Sequence, residues 1–257
     1  MSEAKVIAIT KQKGGVAKST TTVNLGAGLS KLGKKVLVID ADPQGSLSVS
    51  LGIRNPDELE ASLSTLMQSV IEDEPLDKES VLFHHEESID LIPSNIELSG
   101  IEISLFNVMS RELILKNCIK HFKESYDYIL IDCMPSLGLM TINALAAADS
   151  IIIPSQPNFL STKGLNLLLR SIAKVKRQIN PALSIDGILL TMVNGRTNNA
   201  KNISASLRES VGGGIRVFDT EIPHSVRIPE SSIEGKSIFA YDRNCKAAMA
   251  YEAFSKE

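Results

Sequence analysis

The sequence predicts an α/β fold, a mostly parallel β-sheet covered by helices on both faces. Three observations predict it. Short β-branched runs alternate with longer amphipathic stretches along 257 residues. The runs are apolar at successive positions, as in strands buried on both faces, rather than alternating with polar residues. Residues capable of chemistry follow directly after these runs: Lys13 to Ser19, Asp40 and Asp42, Asp132, Gln156 and Asn194. In such sheets, ligands bind beyond the carboxyl ends of the strands.

Taken in order, "KVIAIT" reads as a strand and "STTTVNLGAGLSKLG" as a helix ending at Gly33. "KKVLVID" is a second strand and "SIDLIPS" a third. The stretch "ELSGIEISLFNVMSRELILKNCIKHF" carries helical periodicity. "YDYILID" is a strand, "GLMTINALAAA" a helix and "SIIIPS" a strand. "TKGLNLLLRSIAKVKRQI" is a helix whose late basic residues suit its dipole. "SIDGILLTMV" is a strand and "CKAAMAYEAFSK" a helix. Residues 54–90 differ, with "EDEP" at 72–75 and "HHEE" at 84–87. They are expected to form an acidic, partly helical surface insertion in a single domain of residues 1–257.

The formal net charge of −3 argues against a globally basic nucleic-acid binder but leaves room for a local basic patch. An apolar fraction of 43% supports a real core, and 22% charged residues is too few for wholesale disorder. Cys118, Cys133 and Cys245 are scattered, so neither a disulfide framework nor a zinc site is expected. Neither a leader pattern nor an apolar stretch of about 20 residues is visible, and the expected location is cytoplasmic.

The sequence "KQKGGVAKSTTT", residues 11–22, sits between the first strand and the first helix. A Gly-rich turn leading into a helix that begins Lys-Ser makes an anion cradle, because backbone N–H groups and the helix dipole both favour negative charge. Gly14 and Gly15 let the backbone approach phosphate with no Cβ in the way. Lys18 would reach the β- and γ-phosphates, and the Ser19 hydroxyl would ligate Mg²⁺. The standard pattern GxxxxGK[ST] is not met, since Gln12 and Ala17 stand where its glycines belong. A plain strand-to-helix turn is the competing reading of the loop alone.

"KGGVAKST" resembles the deviant Walker A loop, KGGxGK[ST], of the ParA/MinD group of P-loop ATPases. The resemblance continues in order through "VNLGAGLSKLGKKVLVIDADPQG", "YDYILIDCMPSLGLMTINALAAAD", "IIIPSQ", "TMVNGRTN", "IPHSVRIPES" and "FAYD". It is nearest to the ParA (Soj-like) partition ATPases. It implies a P-loop NTPase-type sheet, binding of ATP or ADP with Mg²⁺, and slow basal hydrolysis. The implied nucleotide contacts are Lys13, Gly14, Gly15, Val16, Ala17, Lys18, Ser19 and Thr20. Lys13 matches the signature lysine that reaches the partner's ATP across a homodimer, while Lys18 grips phosphate in its own subunit. Ala17 replaces the family's usual glycine; if that position needs φ > 0, alanine costs about 1–2 kcal/mol.

Asp40 and Asp42 lie two apart on one side of an extended segment, and Asp132 ends an apolar strand. A strand-end carboxylate can hold Mg²⁺, usually through water. A lone aspartate there is more commonly a turn or cap residue, and two such ends beside a phosphate loop shift the balance. The resemblance implies that Asp42 orients the attacking water, that Asp132 is the Walker B residue, and that Ser19, Asp42 and Asp132 surround the metal, with Asp40 near it. It also implies adenine contacts at Asn194 and Pro223, and non-specific DNA contacts at Arg196 and Arg227. The implied partner is a ParB-like centromere-binding protein that stimulates hydrolysis on the nucleoid. A MinD-like membrane ATPase would carry a basic amphipathic tail, whereas "CKAAMAYEAFSKE" is mixed in charge. A non-hydrolysing nucleotide switch that regulates through DNA is the other alternative.

Overall fold

The computed structural model describes residues 3–75, 77–157, 159–194 and 214–257, with the side chains of 159–163 left aside. One eight-stranded sheet runs through them in the order β3-β4-β2-β5-β1-β6-β7-β8. The strands are β1 (Lys5–Ile9), β2 (Val36–Ala41), β3 (Phe83–His85), β4 (Ile89–Ile92), β5 (Tyr128–Cys133), β6 (Ser150–Ser155), β7 (Ser184–Val193) and β8 (Val217–Pro223). All neighbours are parallel except β3, which pairs antiparallel with β4 at one edge.

The period-two geometry of a strand divides its side chains between two cores. On β2, Leu37 and Ile39 face one apolar cluster while Val36 and Val38 face the other; on β5, Ile129 and Ile131 oppose Leu130. The first core is closed by α3 (Leu63–Ile71), α4 (Glu97–Ser104), α5 (Ile114–Ile119), α6 (Leu139–Ala147) and α7 (Phe159–Gln178). The second is closed by α1 (Lys18–Lys31), α2 (Ser46–Ser50), α9 (Ile238–Asp242) and α10 (Lys246–Lys256), with α8 (Arg227–Ile233) beside α2. Gly28 lets α1 and α10 close up: a Cβ there would lie 2.0 Å from Ser255 Oγ. At the β8 edge, the Glu257 carboxylate accepts the backbone N–H of Asp219 at 2.9 Å and of Thr220 at 3.1 Å.

Two sequence expectations need correction. Residues 54–90 are not a surface insertion. They supply β3 and the start of β4 to the sheet, and Leu63, Leu66 and Met67 of α3 are buried in the first core. Acidic residues that include Glu72, Asp73 and Glu74 face solvent, which is why composition alone suggests a surface segment. The long helical stretch from Glu97 breaks into α4, two 3-10 turns and α5, with Ser110 at φ 52 between the turns. A left-handed residue of this kind cannot continue a right-handed helix.

Candidate functional site

Three strand ends meet in one row. Ile9 of β1 and Asp40 of β2 both pair in register with Asp132 of β5. The chain leaves β1 through Thr10, whose N–H bonds Ile152 O of β6 at 3.2 Å, and turns over these ends before entering α1. This places the loop at the point where β1 separates β5 from β6. Two bonds hold the loop from behind. Gln156 Nε2 donates to Gly15 O at 2.8 Å, and Thr191 Oγ1 donates to Val16 O at 3.1 Å.

Ala17 forms the N-terminal boundary of α1 at φ 64, ψ 37, in the left-handed region where alanine is strained. Its methyl cannot accept a hydrogen bond, and no side-chain cap bond to the first turn is formed among the described residues. The opening amides of α1 thus keep their donor capacity, and the dipole end adds to it. A Cβ added at Gly14 or Gly15 would meet nothing within 4 Å, so the loop's outer side faces open space. That space is a cavity of about 690 Å³ lined by Gly14, Gly15, Ala17 to Thr20, Asp42, α2, Pro223 and α8. A volume in this range accommodates a nucleotide-sized ligand.

The carboxylates behave differently. Asp40 is fully buried and satisfied: it accepts Ser48 N–H at 2.9 Å, Ser48 Oγ at 2.8 Å and Asp42 N–H at 3.2 Å. Burial raises its pKa to about 6, and the Ser48 bonds oppose the rise. Asp132 is as deeply buried, yet neither of its oxygens has a hydrogen-bond partner among the described residues. Burial first, and then the charge of Asp40, raise it to about 8. Lys18 and the Ser19 hydroxyl pull it partly back, the hydroxyl approaching without completing a bond. Asp42 keeps an edge on the cavity while its Oδ1 accepts Gln44 N–H at 3.1 Å.

The donor set fits Mg²⁺ with a polyphosphate. The unpartnered carboxylate of Asp132, the Ser19 hydroxyl and the cavity edge of Asp42 are hard oxygen ligands. No group of three or more His, Cys, Asp or Glu side chains among the described residues could cage a metal alone. Mg²⁺ is typically held by one or two carboxylates together with phosphate oxygens and water.

The other expected residues are placed as follows. Lys18 is buried at the cavity floor, and Val16 is buried beneath the loop. Lys13 is exposed and is not among the residues that line the cavity of its own chain. Asn194 follows Val193, which pairs with Pro223 at the cavity wall. Arg227 opens α8 with its side chain 51% exposed, paired to Glu230 at 3.0 Å and to Asp242 at 3.6 Å. Arg196 lies outside the described residues. Sequence reasoning missed Lys11, which is wholly buried behind the loop and donates to Ser155 Oγ at 3.4 Å. Burial, reinforced by Lys13, lowers its pKa to about 8. It also missed Thr191, which only the fold brings to the loop.

Among the described residues, no helix is long and apolar enough to cross a membrane. A family described as "AAA domain" matches residues 4–185. The chain is 42% identical to the sporulation initiation inhibitor protein Soj of Bacillus subtilis, over 98% of this chain and 97% of that protein. It is 36% identical to the chromosome partitioning protein ParA of Caulobacter vibrioides, over 98% and 93%. A Mycobacterium smegmatis structure described as a cobyrinic acid a,c-diamide synthase with a bound ATP analogue and magnesium superposes with a TM-score of 0.85 at 32% identity, covering 98% of this chain and 93% of that one.

Proposed function

Because the chain belongs to the Soj/ParA family of P-loop partition ATPases, we propose that it segregates a plasmid, chromosome or mobile element through an ATP-gated dimer that binds DNA. Two protomers close on two nucleotides. In each, the loop amides and Lys18 hold the triphosphate, and Lys13 of the other protomer reaches it. A charged triphosphate offsets the repulsion of lysines brought together, so binding closes the dimer and hydrolysis releases it. Mg²⁺ would be held by Ser19, Asp42 and Asp132, where it neutralises phosphate charge when bound. Asp42 orients the attacking water, and Asn194 and Pro223 flank the adenine. Arg196 and Arg227 contact DNA phosphates without reading sequence. A dimer doubles those contacts, so DNA affinity requires ATP and falls with salt. A ParB-like centromere-binding protein stimulates turnover, and the ATP form resides on the nucleoid in the cytoplasm.

The observation that carries this reading is the unpartnered, buried Asp132 beside Ser19, in a helix start that opens on a nucleotide-sized cavity and whose N-cap residue makes no side-chain bond. The test measures ATP hydrolysis with Mg²⁺, with and without duplex DNA and the product of a neighbouring centromere-binding gene. Slow basal turnover that rises with both is expected. Asp42→Ala should dimerise with ATP while hydrolysing poorly, and Arg227→Glu should keep ATP while losing DNA. A chain that stays monomeric as Asp42→Ala with ATP and Mg²⁺, or that never turns over with DNA and partner present, overturns the proposal.

A further inference from the structure

The cavity has two helical walls, α2 following Asp42 and α8 beginning at Arg227. Both end in the same way. In α2, Gly52 N–H bonds Val49 O at 3.0 Å and Ile53 N–H bonds Ser48 O at 3.1 Å. In α8, Gly235 N–H bonds Ser232 O at 3.2 Å and Lys236 N–H bonds Ser231 O at 3.0 Å. Each is a Schellman cap whose glycine takes positive φ, 92 at Gly52 and 68 at Gly235.

The two caps press on each other with no side chain between them. A Cβ at Gly235 would fall 2.6 Å from Gly52 Cα and 2.9 Å from Gly52 N, a collision with backbone that has no flexible end to move. The reverse does not hold: a Cβ at Gly52 would meet Gly235 Cα and O at 3.9 Å, an ordinary contact. The far side of the joint is braced as well. His85 Nε2 lies 3.0 Å from Gly235 O, and Glu87 accepts Ser237 N–H at 2.8 Å and the Ser237 hydroxyl. The near side is tied to the carboxylate row, since Ser48 of α2 donates twice to Asp40.

We propose that Gly235 is a positioning residue: through its bare backbone contact with Gly52 it fixes the separation of α2 and α8, and so couples the Asp42 side of the nucleotide cavity to the helix that presents Arg227. Braced behind by the β3–β4 hairpin, α8 moves only when α2 moves. Occupancy at the Asp42 end is thereby felt at Arg227. The coupling to DNA rests on the proposed ATP-dependent DNA binding, whereas the effect on nucleotide does not.

The asymmetry of the joint supplies its own control. Gly52→Ala and Gly235→Ala both force alanine into positive φ, but only the second collides. Affinity for a fluorescent ATP analogue with Mg²⁺, thermal midpoint, and retention of non-specific duplex DNA with ATP are measured for both. Gly235→Ala should weaken nucleotide binding roughly tenfold and lose ATP-dependent DNA retention, with Gly52→Ala within about twofold of the parent at a comparably lowered midpoint. Equal nucleotide affinity and DNA retention in the two variants overturns the inference. Should Gly235→Ala fail to fold, Glu87→Ala, which releases the brace without touching the contact, takes its place; unchanged affinity and retention there overturn it equally. A parent protein that ignores DNA in ATP refutes the proposed function instead, and the nucleotide arm still judges the joint.

Discussion

The ends of β2 and β5 lie side by side in the sheet, and each buries a carboxylate completely. At the first, Asp40 is surrounded by donors from Ser48 and Asp42. At the second, Asp132 has none among the described residues. The same residue type at the same depth therefore does opposite work. Asp40 ties the start of α2 to the sheet and contributes stability. Asp132 is an unpartnered buried acid whose ionisation costs stability in the ligand-free protein.

The largest expected break in this contrast comes from Asp132→Asn. Hydrolysis should fall about 10–100-fold, the range for a group that holds a metal through its outer sphere. The ligand-free protein should nevertheless melt at a higher temperature, because a buried acid with no partner has been made neutral. The pH dependence has a definite sign. With Asp132 raised from 3.8 to about 8, the native state keeps a proton that the unfolded chain has already released between those values. Stability of the ligand-free protein should thus decline as pH rises through that window, and the decline should shrink in Asp132→Asn. A lower melting temperature in Asp132→Asn at pH 8 would erase the distinction between the two strand ends.

Asp40→Ala sharpens the contrast from the other side. It strands the Ser48 N–H and hydroxyl, and should destabilise by about 1–3 kcal/mol in chemical denaturation. If the denaturation midpoint is unchanged, the bonds to Ser48 are not what holds α2. The smallest effect is expected at Ala17→Gly, where relief of about 1–2 kcal/mol of left-handed strain is offset by the greater freedom of glycine in the unfolded chain. Titration with ATP should show an affinity gain of a few-fold at most, and an affinity that does not move at all removes strain as the reason this loop tolerates alanine.

The central strands were legible because β1, β2, β5, β6 and β7 each carry a run of consecutive apolar residues, as strands that sit between two helical layers do. The phosphate loop and the strand-end carboxylates were legible through their order along the chain. Edge strands were not: β3 has three residues and Phe83 and His84 are exposed, so no periodicity marks it. The distinction between Asp40 and Asp132 was equally invisible, since it depends on Ser48 folding back eight positions later. Lys11 carries no signal of burial in its residue type, and only the packing beneath the loop reveals it. The core role of α3 was masked by its acidic flanks.

The two borders of the sheet bear on how copies of this chain can meet. One border is the three-residue strand β3, and at the other the Glu257 side chain already occupies the amides of Asp219 and Thr220. An incoming strand would have to displace that carboxylate or settle for a very short template, so continuous sheets spanning many molecules are disfavoured. Among the described residues neither border therefore offers a long free template, and filament growth by strand addition is discouraged from the outset.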